Sequence, residues 1–339
     1  MSFVVILAIS FILNLLINKI PIFRDKKKTS DHKSFTGIKS MPPFSGGIIF
    51  LLTLFIFLPN DQYLLKLFCL VIFLIGIFSD IQILKSPNLR FFLQICAVII
   101  FVILSQTFIT SIKIDFVDLM LKNFLFKFFF TTFCILILIN GSNFMDGVNT
   151  LAIGYYLLIL FFLQNVFSGL GDQTIPVHIF NILVLLLISF FFLNFFNLMY
   201  LGDSGAYLIS FIIGIWLINL SENHVLVSPY YIVNLLWYPA YENLFSIIKK
   251  KIQKMSPSTA DNMHFHQLLF MYFASVIEFN KKIINTMTGL IINFYNGLMF
   301  IIGINNISNT KFLISLIIFN ITIYTVLYFI LRKKLVNTD

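Results

Sequence analysis

The chain has 339 residues, of which 59% are hydrophobic and 11% charged, less than half the roughly one-quarter share of Asp, Glu, Lys and Arg in a soluble domain. That composition excludes a water-facing globule and makes lipid the expected solvent, the setting in which 43 phenylalanines would not aggregate. The formal charge of +9 does not point to nucleic acid, because the basic residues form short clusters between apolar runs with no aromatic-interleaved platform for bases.

A helix needs about 20 mostly apolar residues to cross the hydrocarbon core. In chain order the apolar runs predict spans at Ser2 to Ile20, Phe44 to Leu58, Tyr63 to Phe78, Phe91 to Thr107, Phe124 to Ile139 and Leu151 to Phe167, then at Val177 to Phe196, Ala206 to Leu220, Tyr230 to Ile248, Ile283 to Ile304 and Phe312 to Leu331. The expected fold is therefore an all-α, polytopic transmembrane bundle of about eleven spans. The first run reads as a span and not as a signal peptide, since no basic segment precedes it and no small-residue cleavage site follows. Cys69, Cys96 and Cys134 lie inside apolar runs without metal-ligand spacing, so neither a disulfide framework nor a zinc site is expected.

Lys and Arg are unevenly shared between alternate loops. Arg24, Lys26, Lys27, Lys28, Lys33, Lys39, Lys85, Arg90, Lys249, Lys250, Lys251, Lys254, Lys281 and Lys282, with Arg332, Lys333 and Lys334 of the tail, fall on one side. Only Lys66, Lys113, Lys122, Lys127 and Lys311 fall on the other. The positive-inside rule makes the first side cytoplasmic, and an odd span count then puts the amino terminus outside and the carboxyl terminus inside. One integral-membrane domain covers 1–339, with the loops near 21–43, 79–90, 140–150, 197–205 and 249–282 on the cytoplasmic side.

Polar residues beside membrane spans are costly and are functional candidates by default. In chain order they are Ser79 and Asp80; Asn140, Asn143, Asp146 and Asn149; Gly202, Asp203, Ser204 and Gly205; and Asp261, His264 and His266. All fall on the basic side. The three-residue spacing from Asn140 to Asn149 requires the helix to end or bend if the four serve one site, which Gly141 and Gly147 permit. Simple solvation of a helix end is the plainer alternative. Asp203 or Ser204 alone reads equally well as an N-cap. Gathered with Asp80, Asn143 and Asp146, however, Asp203 makes an oxygen-rich cluster suited to Mg²⁺ completed by substrate phosphates. His264 and His266 lack further zinc ligands and suit contacts to a nucleotide diphosphate.

In order and spacing, these motifs resemble those of the polyprenyl-phosphate N-acetylhexosamine-1-phosphate transferases, a glycosyltransferase family 4 type that includes the phospho-N-acetylmuramoyl-pentapeptide transferase. The similarity runs from Pro42 to about Leu268. It rests on Lys39 to Gly47, Gly76 to Asp80 with Gln94 downstream, Asn140 to Leu151, Gly202 to Gly205, and Ala260 to Gln267. Ser79, Asn149 and Gln267 depart from the family pattern, which has Asp, Asp and His there.

The resemblance implies transfer of a sugar 1-phosphate from a UDP-sugar to undecaprenyl phosphate in a bacterial inner membrane, with Mg²⁺ or Mn²⁺ as cofactor. It implies Asn143 and Asp203 as metal ligands, Asp80 and Asp146 as catalytic residues, and Lys39, Asn140, His264 and His266 as substrate contacts. Membrane lipid and a second copy of the chain are the expected partners, without nucleic acid. A lipid or sugar transporter is the runner-up, although its site should sit near the bilayer midplane; a silent carrier-lipid-binding homologue is a third reading.

Overall fold

The computed structural model describes residues 3–24, 42–171, 176–254 and 263–336. They form thirteen α-helices: α1 (Phe3–Asn18), α2 (Gly46–Phe57), α3 (Tyr63–Asp80), α4 (Pro87–Ser105), α5 (Asp115–Leu121), α6 (Phe124–Met145), α7 (Leu151–Leu170), α8 (Val177–Phe195), α9 (Gly202–Asn223), α10 (Pro229–Ile252), α11 (Phe265–Val276), α12 (Lys281–Ile304) and α13 (Thr310–Val336). Eight segments are long and apolar enough to cross a membrane: Asn60–Asp80, Pro87–Ser105, Phe124–Met145, Leu151–Leu170, Val177–Phe195, Gly202–Asn223, Lys281–Ile304 and Thr310–Leu335.

The expected eleven spans are thus not reached among the described residues. With 12 residues, α2 extends about 18 Å at roughly 1.5 Å per residue, well short of a hydrocarbon core of about 30 Å. At 16 residues α1 is also short. Although α10 has 24 residues, it buries Asn234, Glu242 and Asn243 and is too polar to count. The parity argument that placed the two termini on opposite sides loses its footing with the count.

Helix starts also differ from the apolar runs, because polar first turns hide helix beginnings. Ser86 accepts a hydrogen bond from the Leu89 N–H at 3.3 Å and Pro87 opens the helix, so α4 begins before Phe91 and takes Arg90 into its first turns. Likewise α9 begins at Gly202, with Asp203 in its first turn.

The bundle is built around α9. From Gly202 to Leu220 only Asp203 and Asn219 escape burial, the pattern of a helix enclosed on all sides. Close packing there requires glycine. A Cβ on Gly47 would lie 2.4 Å from Ser204 Oγ, and one on Gly76 would lie 2.4 Å from Ser204 Cα, so α2 and α3 meet the start of α9 backbone to backbone.

Inside α10, Pro239 cannot donate to the Leu235 carbonyl; the Tyr155 hydroxyl of α7 does so instead, at 2.8 Å. A Cβ on Gly141 of α6 would lie 2.0 Å from the Pro239 oxygen. Contacts tie the loops into two ends. At one, Tyr200 N–H donates to Pro43 O and Gly46 N–H to Tyr200 O. At the other, Thr110 N–H donates to Glu222 and Ser228 N–H to Ile307 O.

Candidate active site

Asp80 closes α3 and reaches the first turn of α9. Its Oδ1 accepts from Asp203 N–H at 2.8 Å, and its Oδ2 accepts from Ser204 N–H at 3.1 Å and Ser204 Oγ at 2.7 Å. A carboxylate from another helix thus satisfies the amides that α9 leaves open and sits at the positive end of its dipole. Gly202 makes the approach feasible: its φ is +74°, and a Cβ there would lie 2.7 Å from Asp80 Oδ2. The N-cap role considered for Asp203 and Ser204 is therefore filled by Asp80.

With its backbone engaged in this way, Asp203 turns its side chain elsewhere. Ser79 Oγ donates to Asp203 Oδ2 at 2.5 Å, and Arg90 pairs with the same oxygen at 2.7 Å. Arg90 also donates to Ser79 Oγ. Side chains of Arg90 and Asp203 are each 22% exposed, so the pair is open to a ligand. Asp203 is the carboxylate that meets the guanidinium.

One turn deeper, the same two helices reach α6. Gln94, four residues after Arg90, accepts from Asn140 Nδ2 at 3.0 Å. Tyr207, four residues after Asp203, accepts from Asn143 Nδ2 at 3.2 Å. Four-residue spacing keeps each pair on one helical face, so Asn140 and Asn143 belong to the Asp203–Arg90 layer. The helix then ends: α6 stops at Met145 and half-buried Asp146 is its C-cap.

Asn149 turns away. It is 3% exposed, donates from Nδ2 to Asn197 at 3.3 Å and from its backbone to Asn285 at 3.3 Å. Next to it Thr150 adopts φ +68°, held by Asn194 on its N–H and Asn293 on its carbonyl. A second aspartate at 149 would bury a charge among amides, which accounts for the departure there.

The loop after α6 also meets the histidines. A Cβ on Gly147 would lie 2.1 Å from His266 Nε2, and the Phe144 and His264 rings are 5.1 Å apart. His264 precedes α11 and His266 lies in its first turn, their rings parallel within 5° at 5.7 Å. The Gln267 side-chain oxygen Oε1 accepts from His264 N–H at 2.9 Å, so the residue that departs from a third histidine caps the helix. His264 Nδ1 lies 2.8 Å from Glu242 Oε1.

Asp80, Asp203, Asn140, Asn143, Asp146, His264 and His266 are thus placed around one end of the bundle, the α6–α7 loop linking the carboxylate layer to the histidines. Lys39 and Asp261 lie outside the described residues. Sequence reasoning took Arg90 only as a loop cation and passed over Tyr207 and Glu242; a lone acid in the apolar run Tyr230 to Ile248 was the available signal. A cavity of about 430 Å³ lined by Asp61, Trp216 and Asn219 lies at the opposite end of α3 and α9, away from these residues.

Residues 63–221 match the family model described as glycosyl transferase family 4. The match contains Asp80, Arg90, Asn140 to Asn149 and Asp203, and ends before the histidines. The matched stretch is just under half of the chain and, with the apolar helices, is in keeping with a membrane transferase acting on phospho-sugars in general terms. No curated protein matches the chain.

Proposed function

We propose that the chain transfers a sugar 1-phosphate, N-acetylhexosamine 1-phosphate above all, from a UDP-sugar to undecaprenyl phosphate at the cytoplasmic face of a bacterial inner membrane. UMP is released, and the lipid-linked sugar diphosphate initiates a surface glycan. The observation that carries this reading is the joining of the Asp80–Asp203–Arg90 layer to Asn143 and the histidines at one end of an apolar bundle. That position suits a water-soluble donor and a membrane-borne acceptor. A transporter site would sit nearer the middle of the spans.

An oxygen of the lipid phosphate attacks the β-phosphorus of the donor; the bond from that phosphorus to the bridging oxygen breaks, and UMP leaves with the electron pair. Every reacting group is anionic, so the protein must align the phosphates and offset their repulsion. Arg90, pinned by Asp203 and Ser79, supplies a fixed guanidinium with donors to spare. Asp80, with three donors on its carboxylate, sets the position of Asp203. The lipid phosphate is ionised near neutral pH, so of the two roles expected for Asp80, positioning that phosphate and assisting its deprotonation, the first is the one proposed, with Asp146 in support.

The donor set fits Mg²⁺. That ion is usually held by one or two carboxylates, waters and substrate phosphates, and the described residues contain no cluster of three or more His, Cys, Asp or Glu that would cage it without substrate. Asp203 and Asn143 would hold it, and when bound Mg²⁺ or Mn²⁺ neutralises diphosphate charge. Lys39, Asn140, His264 and His266 contact the donor, and a homodimer is the proposed assembly.

The test is UMP release by purified protein in nanodiscs with Mg²⁺, undecaprenyl phosphate and a panel of UDP-sugars. The expected result is UMP formed in equal amount to lipid-linked sugar diphosphate with at least one UDP-N-acetylhexosamine. No release with any donor overturns the reading.

A further inference from the structure

Glu242 is 1% exposed and has no part in the transfer chemistry set out above. A buried carboxylate persists only where its lone pairs and charge are met. Oε1 accepts from His264 Nδ1 at 2.8 Å and from Phe265 N–H at 3.3 Å, and Oε2 accepts from the Tyr324 hydroxyl at 2.7 Å. The carboxylate is therefore held by α11 on one oxygen and α13 on the other, and it is fixed before any ligand arrives.

An ionised carboxylate only accepts hydrogen bonds, so His264 Nδ1 carries the proton. The opposite nitrogen, Nε2, is directed away from Glu242, while Phe144 at 5.1 Å and His266 at 5.7 Å fix the plane of the ring. Phe144 directly follows Asn143 in the last turn of α6, so the imidazole packs against that helix end. The other charged groups here are Lys249, which donates to the Met263 carbonyl at 2.9 Å, and Lys250, 5.9 Å above the Phe144 ring. The imidazole is in direct hydrogen-bond contact with the carboxylate.

We propose that Glu242 is a positioning residue of the donor-phosphate subsite: it holds His264 by Nδ1–H and thereby fixes the direction in which Nε2 faces a nucleoside diphosphate. The inference rests on the transferase reading for its ligand but not for its geometry. Tyr324 secures the second oxygen of Glu242 and supports the same orientation.

Solid-state NMR on ¹⁵N-histidine-labelled protein in nanodiscs tests the arrangement, with the His264 signals identified by their loss in His264→Gln. His264 Nδ1 is expected to carry a proton hydrogen-bonded to the carboxylate, and Glu242→Gln is expected to shift that Nδ1 signal. A His264 without an Nδ1 proton, or one unchanged by Glu242→Gln, overturns the proposal.

Turnover supplies a second readout. Glu242→Gln is expected to lower UMP release roughly ten- to a hundredfold, the range for partners that orient a functional histidine, but by less than about twofold in a His264→Gln background. Equal losses in both backgrounds mean that Glu242 acts structurally and overturn the proposal. Where Glu242→Gln fails to fold, Tyr324→Phe replaces it, with a smaller loss that also vanishes without His264. If the unaltered protein releases no UMP from any donor, the transferase reading falls, while the nitrogen signals still decide whether Glu242 holds His264.

Discussion

Asp203 combines two roles that sequence inspection separates: its backbone receives the cap supplied by Asp80, and its half-buried carboxylate faces Arg90 and Ser79. Asp203→Asn keeps the shape and removes the charge at one residue of a buried helix, so expression should persist while UMP release at limiting Mg²⁺ falls at least roughly a hundredfold, the loss of one well-placed electrostatic group. Ser79→Ala removes a hydroxyl that bridges Arg90 and Asp203 without removing either charge. A loss of about 1 kcal/mol, roughly fivefold in rate, is expected from one hydrogen bond, and the same assay ranks the two variants. A reversed order would mean that the metal is not held at Asp203. Of these residues the sequence made Asp203 legible, because a carboxylate between glycines beside an apolar run stands out. Arg90 was not, because nothing local shows which acid a cation will meet.

At the scale of the helix, the motif glycines act in packing as much as in chemistry. Gly47 and Gly76 let α2 and α3 close on Ser204, and Gly202 carries a positive φ beneath the Asp80 carboxylate. Gly202→Ala places a side chain against that carboxylate in a strained backbone region. It should destabilise the protein by at least about 1 kcal/mol, read as a lower melting temperature of the purified protein in detergent. Pro239 and Tyr155 form a second pair of this kind. Tyr155→Phe strands the Leu235 carbonyl and should cost about 1–3 kcal/mol, whereas in a Pro239→Ala background the restored N–H serves that carbonyl and the cost should shrink. A thermal-unfolding double-mutant cycle checks this; equal costs in the two backgrounds would refute the compensation. The spacing of Asn140 to Asn149 called for an end to the helix if all four served one site; α6 does end at Met145, but Asn149 leaves the group. The direction in which Asn149 turns was not legible, since its partners Asn197 and Asn285 come from α8 to α9 and from α12.

For the whole molecule, the loop charges and the loop contacts make one testable statement about sidedness. In a background lacking Cys69, Cys96 and Cys134, cysteines replacing Lys85 and Lys254 should be labelled by an impermeant reagent only from the cytoplasm, and cysteines replacing Lys113 and Lys311 only from the opposite face. All four lysines are exposed. Labelling of Lys254→Cys from the opposite face would remove the cytoplasmic assignment of the site. By itself the sequence determined the solvent, the helical class and the clustering of chemistry near the ends of apolar runs, because hydropathy and charge are properties of local stretches. Its count of eleven spans is not reached among the described residues, because an apolar run such as Gly46–Phe57 does not disclose how far the helix extends. Only the tertiary structure decided which polar groups meet. Arg90 reaches Asp203 across 113 residues, and Glu242 reaches His264 across 22. Such pairs exist only once helices pack, since burial makes an unpartnered charge costly and so selects the partners that packing brings within reach.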